Sequence, residues 1–326
     1  MHAFDAIEPN EVALPDLARA LVRSEHARRL IELARDEDLG VPARDFTGEL
    51  VFSPGDRRSV RLVARTDGVL AGLACVPMVI DAFADHAEGV HHAQHTDQGE
   101  PIEFAPSAQD GTAIHAGDAL ATFEGGARAL VRLERTMLNL VARMSGIATR
   151  TAAFVRAVEG TGVRVCDTRK TTPGMRHFEK YSVRCGGGFC HRIGLHDAVL
   201  IKDNHIAGLT VFELANTLSE VATQARARGG LLRFIQVEVD TLEQFEHILG
   251  LPNGLIDMVL LDNMPSDLMR SAVARRDADA PGLLLEASGG VSLGTVRSIA
   301  ETGVDRISVG GLTHQAVSLD LGLDAV

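Results

Sequence analysis

The chain has no surplus of positive charge. Its 44 acidic residues outnumber 32 Lys/Arg, for a formal net charge of −12, and no Lys/Arg run forms the basic stripe that a phosphate backbone requires. Nucleic acid is therefore excluded as an expected partner. Long hydrophobic runs are missing too: the longest, Val69 to Ile80, contains Pro77 and is too short to span a bilayer. The start, Met1 to Val12, carries Asp5, Glu8 and Glu11 where a secretory signal would be basic and then apolar. A cytoplasmic protein is expected. The four cysteines, Cys75, Cys166, Cys185 and Cys190, include no CxxC pair, so neither a zinc ribbon nor a disulfide scaffold is indicated and buried thiols are expected. There is no GxxxxGK followed by Ser or Thr, and no strand-linked GxGxxG, which argues against a nucleoside triphosphate or dinucleotide site.

What is present fits a soluble globular chain: 326 residues, 45% hydrophobic and 23% charged, without repeats or low-complexity tracts. That length suggests two domains. Pro15 to Arg35 reads as one amphipathic helix with Leu17, Leu21, Leu30 and Leu33 on its apolar side. Ser59 to Thr66 alternates like a half-buried strand. Residues 84 to 112 are polar and carry His86, His91, His92 and His95. A metal site and a solvated loop or edge-strand insertion both stand for this segment, the second favoured because no Cys or carboxylate spacing supports the first. From Ala127 a long helix is predicted, with Ser145-Gly146 as an interruption, bridging the two domains.

Beyond the helix, short β-branched strands alternate with helical stretches at 164–167, 198–202, 234–239, 258–261, 283–286 and 306–309, a pattern of parallel strands with crossover helices. Six strands where a full barrel has eight predict an incomplete (β/α) barrel, with a doubly wound sheet as the alternative. Polar residues follow each strand: Thr168-Arg169-Lys170, Lys202-Asp203-Asn204, Glu238 and Asp240, Asp262-Asn263, Ser288-Gly289-Gly290, and Gly310-Gly311. Parallel barrels gather such ends on one face, where they can converge on a ligand.

Between Cys166 and His205 lie seven Lys/Arg against four acids, a local basic cluster in an acidic chain, suited to a small, multiply anionic substrate. A solvated face is the plainer alternative, weakest for Arg169, Lys170 and Lys202, which follow hydrophobic strands directly. The late glycine loops could cradle phosphate through backbone N–H groups or could be ordinary barrel turns. Glu238 and Asp262 could hold Mg²⁺ with a pyrophosphate, bind ribose hydroxyls, or serve as ion-pair partners of the lysines.

The string Asp167-Thr-Arg-Lys-Thr-Thr-Pro-Gly-Met-Arg176, followed by Glu179-Lys-Tyr, Gly186-Gly-Gly, His191-Arg192 and Lys202-Asp-Asn-His205, resembles the quinolinate phosphoribosyltransferase family. So do Glu37-Asp-Leu-Gly, Glu134-Arg-Thr-Met-Leu-Asn139, Ser145-Gly-Ile-Ala-Thr149, Gln236-Val-Glu-Val-Asp240, Leu261-Asp-Asn-Met264, Glu286-Ala-Ser-Gly-Gly290 and Ser308-Val-Gly-Gly-Leu-Thr-His314, all in family order. The departure is the longer histidine-bearing segment at 84–112.

The resemblance implies an α/β protein with an N-terminal open α/β sandwich domain over residues 1–140, to which a tail at about 315–326 returns. Residues 141–314 would form an incomplete α/β barrel like that of type II phosphoribosyltransferases. It implies transfer of phosphoribose from phosphoribosyl pyrophosphate to quinolinate with decarboxylation, by a homodimer or higher homo-oligomer. Arg169, His191, Arg192 and Lys202 would hold the quinolinate carboxylates, Thr168 assisting and Arg135 reaching in from the other subunit. Lys170, Glu238 and Asp262 would carry the catalysis, engaging phosphoribosyl pyrophosphate and Mg²⁺, while the metal is bound mainly through the substrate. Ser288, Gly289, Gly290, Gly310 and Gly311 would cradle the 5′-phosphate with His314 nearby. Two rivals are a Schiff-base lyase using Lys202 and a non-catalytic binder or substrate-switched paralogue. The intact Arg169, His191, Arg192 and Lys202 set argues against both.

Overall fold

A computed structural model of the chain describes residues 4–41, 43–84, 101–206, 208–228 and 230–326. His86, His91, His92 and His95, and any site they form, lie outside the described residues. The chain forms two compact units. The first comprises Met1–Ala152, Thr171–Gly187 and Gln315–Val326, the second Ala153–Lys170 and Gly188–His314.

In the first unit the N-terminal helical pattern divides. Helix α1 (Leu14–Val22) buries Leu17 and Leu21, and α2 (Glu25–Leu39) starts afresh at Ser24, whose hydroxyl accepts the Ala27 N–H and caps it. The single helix expected over Pro15 to Arg35 is thus two, and the apolar stripe shifts: α2 buries Ala27 and Ile31 while Leu33 is 64% exposed. A short helix, α3 (Phe46–Val51), precedes β1 (Arg57–Ala64), which covers the predicted Ser59 strand, and then β2 (Gly68–Val69) and α4 (Val76–Ala84). Strands β3 (Glu103–Pro106), β4 (Ala113–Ile114) and β5 (Ala119–Gly126) complete the region. β1 lies between β5 and the C-terminal strand Leu321–Ala325, antiparallel to both, with Leu62 opposite Ala121 and Leu323.

Helix α5 (Ala127–Ala157) runs straight through Ser145-Gly146. These two residues are small for a tertiary reason, not because the helix breaks there. The Ser145 hydroxyl bonds the Ala71 N–H and carbonyl, and any Cβ on Gly146 would overlap the Val317 carbonyl of the returning tail. Helix α6 (Arg176–Cys185) also belongs to the first unit, with Phe178 and Tyr181 fully buried.

The second unit is built on six parallel strands: β6 (Arg164–Cys166), β7 (Val199–Ile201), β8 (Ile235–Val239), β9 (Met258–Asp262), β10 (Leu284–Ser288) and β11 (Arg306–Ser308). Every strand read from the sequence is present, with ends within two residues. Between them run α7 (Asp203–Ile206), α8 (Val211–Ala227), α9 (Leu242–Leu249), α10 (Ser266–Asp279) and α11 (Val296–Ala300), and α12 (Gly311–His314) follows β11. The spatial order is β6-β11-β10-β9-β8-β7. From β7 to β11 each strand neighbours the next in sequence, and the first strand closes on the last. That is barrel order, open only between β6 and β7, whereas a doubly wound sheet would reverse direction partway. The incomplete barrel is the correct reading. All five residues of β8 are buried, Gln236 and Glu238 included, as in a parallel strand covered on both faces.

Candidate active site

The open edge of the barrel carries the densest polar chemistry. Where β6 would meet β7 in a closed barrel, the segment at Phe189 pairs with it instead: Phe189 N–H donates to the Val165 carbonyl at 2.8 Å and Asp167 N–H to the Phe189 carbonyl at 3.0 Å. This places His191 and Arg192 beside the end of β6. Two fully buried carboxylates hold the loop. Asp167 accepts the His191 N–H at 2.7 Å, and Asp197 accepts the N–H groups of Ile193 (2.7 Å) and Gly194 (2.9 Å) while facing Arg233 Nε at 3.0 Å.

One ion pair and the strand register relate the strand ends. Lys202, after β7, sets its Nζ 3.0 Å from Glu238 Oε2 on β8. The register pairs Glu238 with Leu260 on β9 and Asp262 with Ser288 on β10, so Glu238, Asp262 and Ser288 share one face of the sheet. On the far side, a Cβ on Gly310 would lie 2.7 Å from Lys170 Cδ and 3.5 Å from Thr168 Oγ1, and Thr313 Oγ1 donates to the Lys170 carbonyl at 2.8 Å. Thr168, Lys170, Gly310 and Gly311 therefore sit together where β6 and β11 end. Arg169 Nη1 is buried and has no hydrogen-bond partner among the described residues. A buried guanidinium nitrogen in that state is one an anion would satisfy.

The glycine loop after β10 is shaped by close approach. Gly289 has φ +96°, and a Cβ there would overlap the Asn263 side-chain amide, whose backbone N–H bonds the Ser288 carbonyl at 2.9 Å. Asn263 has φ 51°, the only left-handed non-glycine residue among those described. Its Nδ2 donates to Asp262 Oδ2 at 2.6 Å, holding a half-buried carboxylate at the mouth.

Beneath the mouth lies a buried polar layer that motif reading gave no role. His191 Nε2 lies 2.9 Å from Gln236 Oε1 and 3.3 Å from Glu286 Oε1. Glu286 Oε1 also accepts the Ser308 hydroxyl, and its Oε2 faces Arg306 Nε at 2.9 Å. Burial alone would raise the Glu286 carboxyl, but the facing His191 and Arg306 outweigh it and, with the Ser308 hydrogen bond, hold it at about 2. Asp167, Asp197, Gln236 and Glu286 are thus site residues missed from the sequence. For Gln236 and Glu286 the available signal was a polar side chain inside a largely apolar strand; Asp167 and Asp197, outside the strands, carried no such signal.

The structure brings together Thr168, Lys170, Gly310 and Gly311 at one side, Lys202 with Glu238 at another, and Asp262 with Ser288, Gly289 and Gly290 between them. His191 and Arg192 line the open edge. His314 ends α12 with its side chain exposed, and Arg135 is an exposed residue of α5 in the first unit. Among the described residues no three of His, Cys, Asp or Glu cluster as a metal site, and no helix is long and apolar enough to cross a membrane.

An incomplete α/β barrel with lysines, arginines and glycine loops gathered at its strand ends defines an enzyme class that handles small, multiply anionic, phosphorylated substrates. The models of the quinolinate phosphoribosyl transferase N-terminal and C-terminal domains match residues 45–145 and 147–324, and the chain belongs to that family. It is 42% identical over 298 residues to the carboxylating nicotinate-nucleotide pyrophosphorylase of Mycobacterium leprae, covering 91% of this chain and 96% of that protein. A probable counterpart of Bacillus subtilis is 35% identical over 288 residues, 88% and 89% of the two chains. Among solved structures, NadC from Streptococcus pyogenes superposes with a TM-score of 0.75 at 33% identity, covering 91% of this chain and 96% of that one.

Proposed function

We propose that the chain transfers the phosphoribosyl group of phosphoribosyl pyrophosphate to quinolinate and releases CO₂, giving nicotinate mononucleotide and pyrophosphate for NAD synthesis. The observation that carries this is that Arg169, Lys170 and Lys202 directly follow barrel strands, with Lys202 Nζ 3.0 Å from Glu238 and Arg169 Nη1 buried without a hydrogen-bond partner among the described residues, while Arg192 lies on the open edge. A planar diacid requires convergent cations of this kind, and a diphosphate leaving group requires another beside it.

In this reading Arg169, His191, Arg192 and Lys202 hold the two carboxylates and Thr168 assists, with the partner subunit's Arg135 completing the site in a homodimer or higher homo-oligomer in the cytoplasm. Ser288, Gly289, Gly290, Gly310 and Gly311 cradle the 5′-phosphate, with His314 at the rim. Mg²⁺ fits the donors present: Glu238 and Asp262 offer hard carboxylate oxygens on the same sheet face, and two carboxylates plus substrate phosphates are the usual way this ion is held. When bound, it neutralises pyrophosphate charge.

The protein's own work is alignment and charge. Lys170 stabilises the departing pyrophosphate as its bond to ribose C1 breaks. The pyridine nitrogen, held in line by the gripped carboxylates, forms the new C1–N bond. The positive charge of the resulting pyridinium stabilises the C2 carbanion left as CO₂ departs, and C2 then takes a proton from water to give the product, so that step requires no separate electron sink.

Incubating purified protein with quinolinate, phosphoribosyl pyrophosphate and Mg²⁺ should yield nicotinate mononucleotide and CO₂ in equal amounts, and absence of both would overturn the reading. Arg192→Ala should abolish quinolinate binding while largely sparing phosphoribosyl pyrophosphate. Equal loss of both ligands would contradict the role given to Arg192.

A further inference from the structure

We propose that Glu286, with Gln236, is a positioning residue of the diacid site, acting on His191 and through it on Arg192. The inference rests on the reading that this cluster grips quinolinate, and it assigns the polar layer beneath it.

The His191 ring is fixed from both sides. Arg192 N–H donates to Nδ1 at 2.8 Å, which makes Nδ1 an acceptor and leaves the ring proton on Nε2. There it meets two acceptors, Gln236 Oε1 at 2.9 Å and Glu286 Oε1 at 3.3 Å. Turning the ring over would set an N–H against the Arg192 N–H and a lone pair against two oxygens. Only one orientation satisfies all the groups. Glu286 cannot follow the ring, because Ser308 and Arg306 hold its oxygens and it is fully buried in β10. The sheet thereby sets the ring, the ring sets the Arg192 backbone, and that backbone aims a guanidinium whose Nη1 lies 3.5 Å from the Ala198 carbonyl. A buried acid–arginine pair that merely stabilised the barrel would need neither the Gln236 contact nor a defined His191 tautomer.

The test uses the full-length protein with Glu286→Gln, which keeps the shape and can still accept from Ser308 but loses the charge facing His191 and Arg306. Calorimetric titration should show quinolinate binding weakened about tenfold or more and phosphoribosyl pyrophosphate binding changed by no more than about twofold. Long-range ¹H–¹⁵N spectra should show the His191 Nε2–H signal, assigned by its loss in His191→Asn, shifting as its charged acceptor becomes a neutral amide. Unchanged quinolinate affinity, or equal loss of both ligands with the His191 signal unmoved, overturns the proposal. If Glu286→Gln does not fold, Gln236→Leu decides the matter, since it removes one of the two acceptors. Wild-type quinolinate affinity in that variant refutes the proposal, and selective weakening supports it. Failure of the functional reading itself would appear separately, as wild-type protein that makes no nicotinate mononucleotide.

Discussion

Lys202 Nζ lies 3.0 Å from Glu238 Oε2, joining the end of β7 to β8 with a lysine 44% exposed and a carboxylate only 9% exposed. One partner faces the open mouth while the other is nearly withdrawn from water, so the two are expected to fail differently. Lys202→Ala removes a cation from the diacid grip and should lower kcat/KM for quinolinate roughly 10- to 100-fold, mostly through KM. Glu238→Gln should chiefly raise KM for phosphoribosyl pyrophosphate. Steady-state kinetics with each substrate varied in turn checks both. If Glu238→Gln disturbed quinolinate alone, Glu238 would be a counter-ion of Lys202 and nothing more.

Two glycines at the phosphate side separate space from conformation. At Gly310 a Cβ crowds only the flexible Lys170 side chain, at 2.7 Å from Cδ, with Thr168 Oγ1 at an ordinary contact distance of 3.5 Å, and the residue has no positive φ. Gly310→Ala should fold with nearly wild-type stability yet raise KM for phosphoribosyl pyrophosphate by displacing Lys170. At Gly289 the φ of +96° and the overlap with Asn263 act together. Gly289→Ala should cost about 2 kcal/mol of stability as well as affinity. Thermal unfolding alongside kinetics distinguishes the two, and equal stability losses would refute the distinction.

The sequence revealed the outline of this site better than its foundations. An apolar β-branched run that stops at Thr168, Lys202, Asp262 or Ser288 marks a strand end, because burial and polarity change at the same residue. The N-terminal helix was harder to read. Leu17, Leu21, Leu30 and Leu33 keep a helical spacing across Ser24, and only the cap shows that the chain restarts there. Ser145-Gly146 resembled a break because nothing local announces Ala71 and Val317, the long-range neighbours that require small residues. Glu286 was legible only as part of a motif. That it is a buried anion depends on Arg306 and His191, brought to it by strand pairing and by the loop at the open edge.

Acid should expose that buried anion. The folded protein holds the Glu286 carboxyl at about 2, against an ordinary 4.5, with burial opposed by the facing His191 and Arg306. The folded state therefore binds this proton less readily than the unfolded chain. The stability contributed by its ionised form is fully present above the unfolded value and is lost as pH falls toward the folded one. Urea unfolding of wild type and Glu286→Gln should accordingly show a stability gap that is steady from pH 7 to about 5 and shrinks as pH falls toward about 2. A gap independent of pH across that window would mean that the carboxyl is not held as an ion.

The cysteines give a test of packing that does not touch the substrates. All four are free and buried: Cys75, Cys166, Cys185 and Cys190. Burial pushes the Cys166 thiol up to about 12 and raises Cys75 and Cys185 well above their ordinary value. Because the thiolate is the reactive form, a group that is both withdrawn from solvent and kept protonated is doubly protected. Native protein at pH 8 should therefore release no colour from an aromatic disulfide reagent within minutes, and denatured protein should release the equivalent of four thiols. Rapid labelling of a single thiol in the native state would place that cysteine at the surface. If it were Cys166 or Cys190, the packing under Asp167 and His191, on which the whole open edge depends, would have to be redrawn.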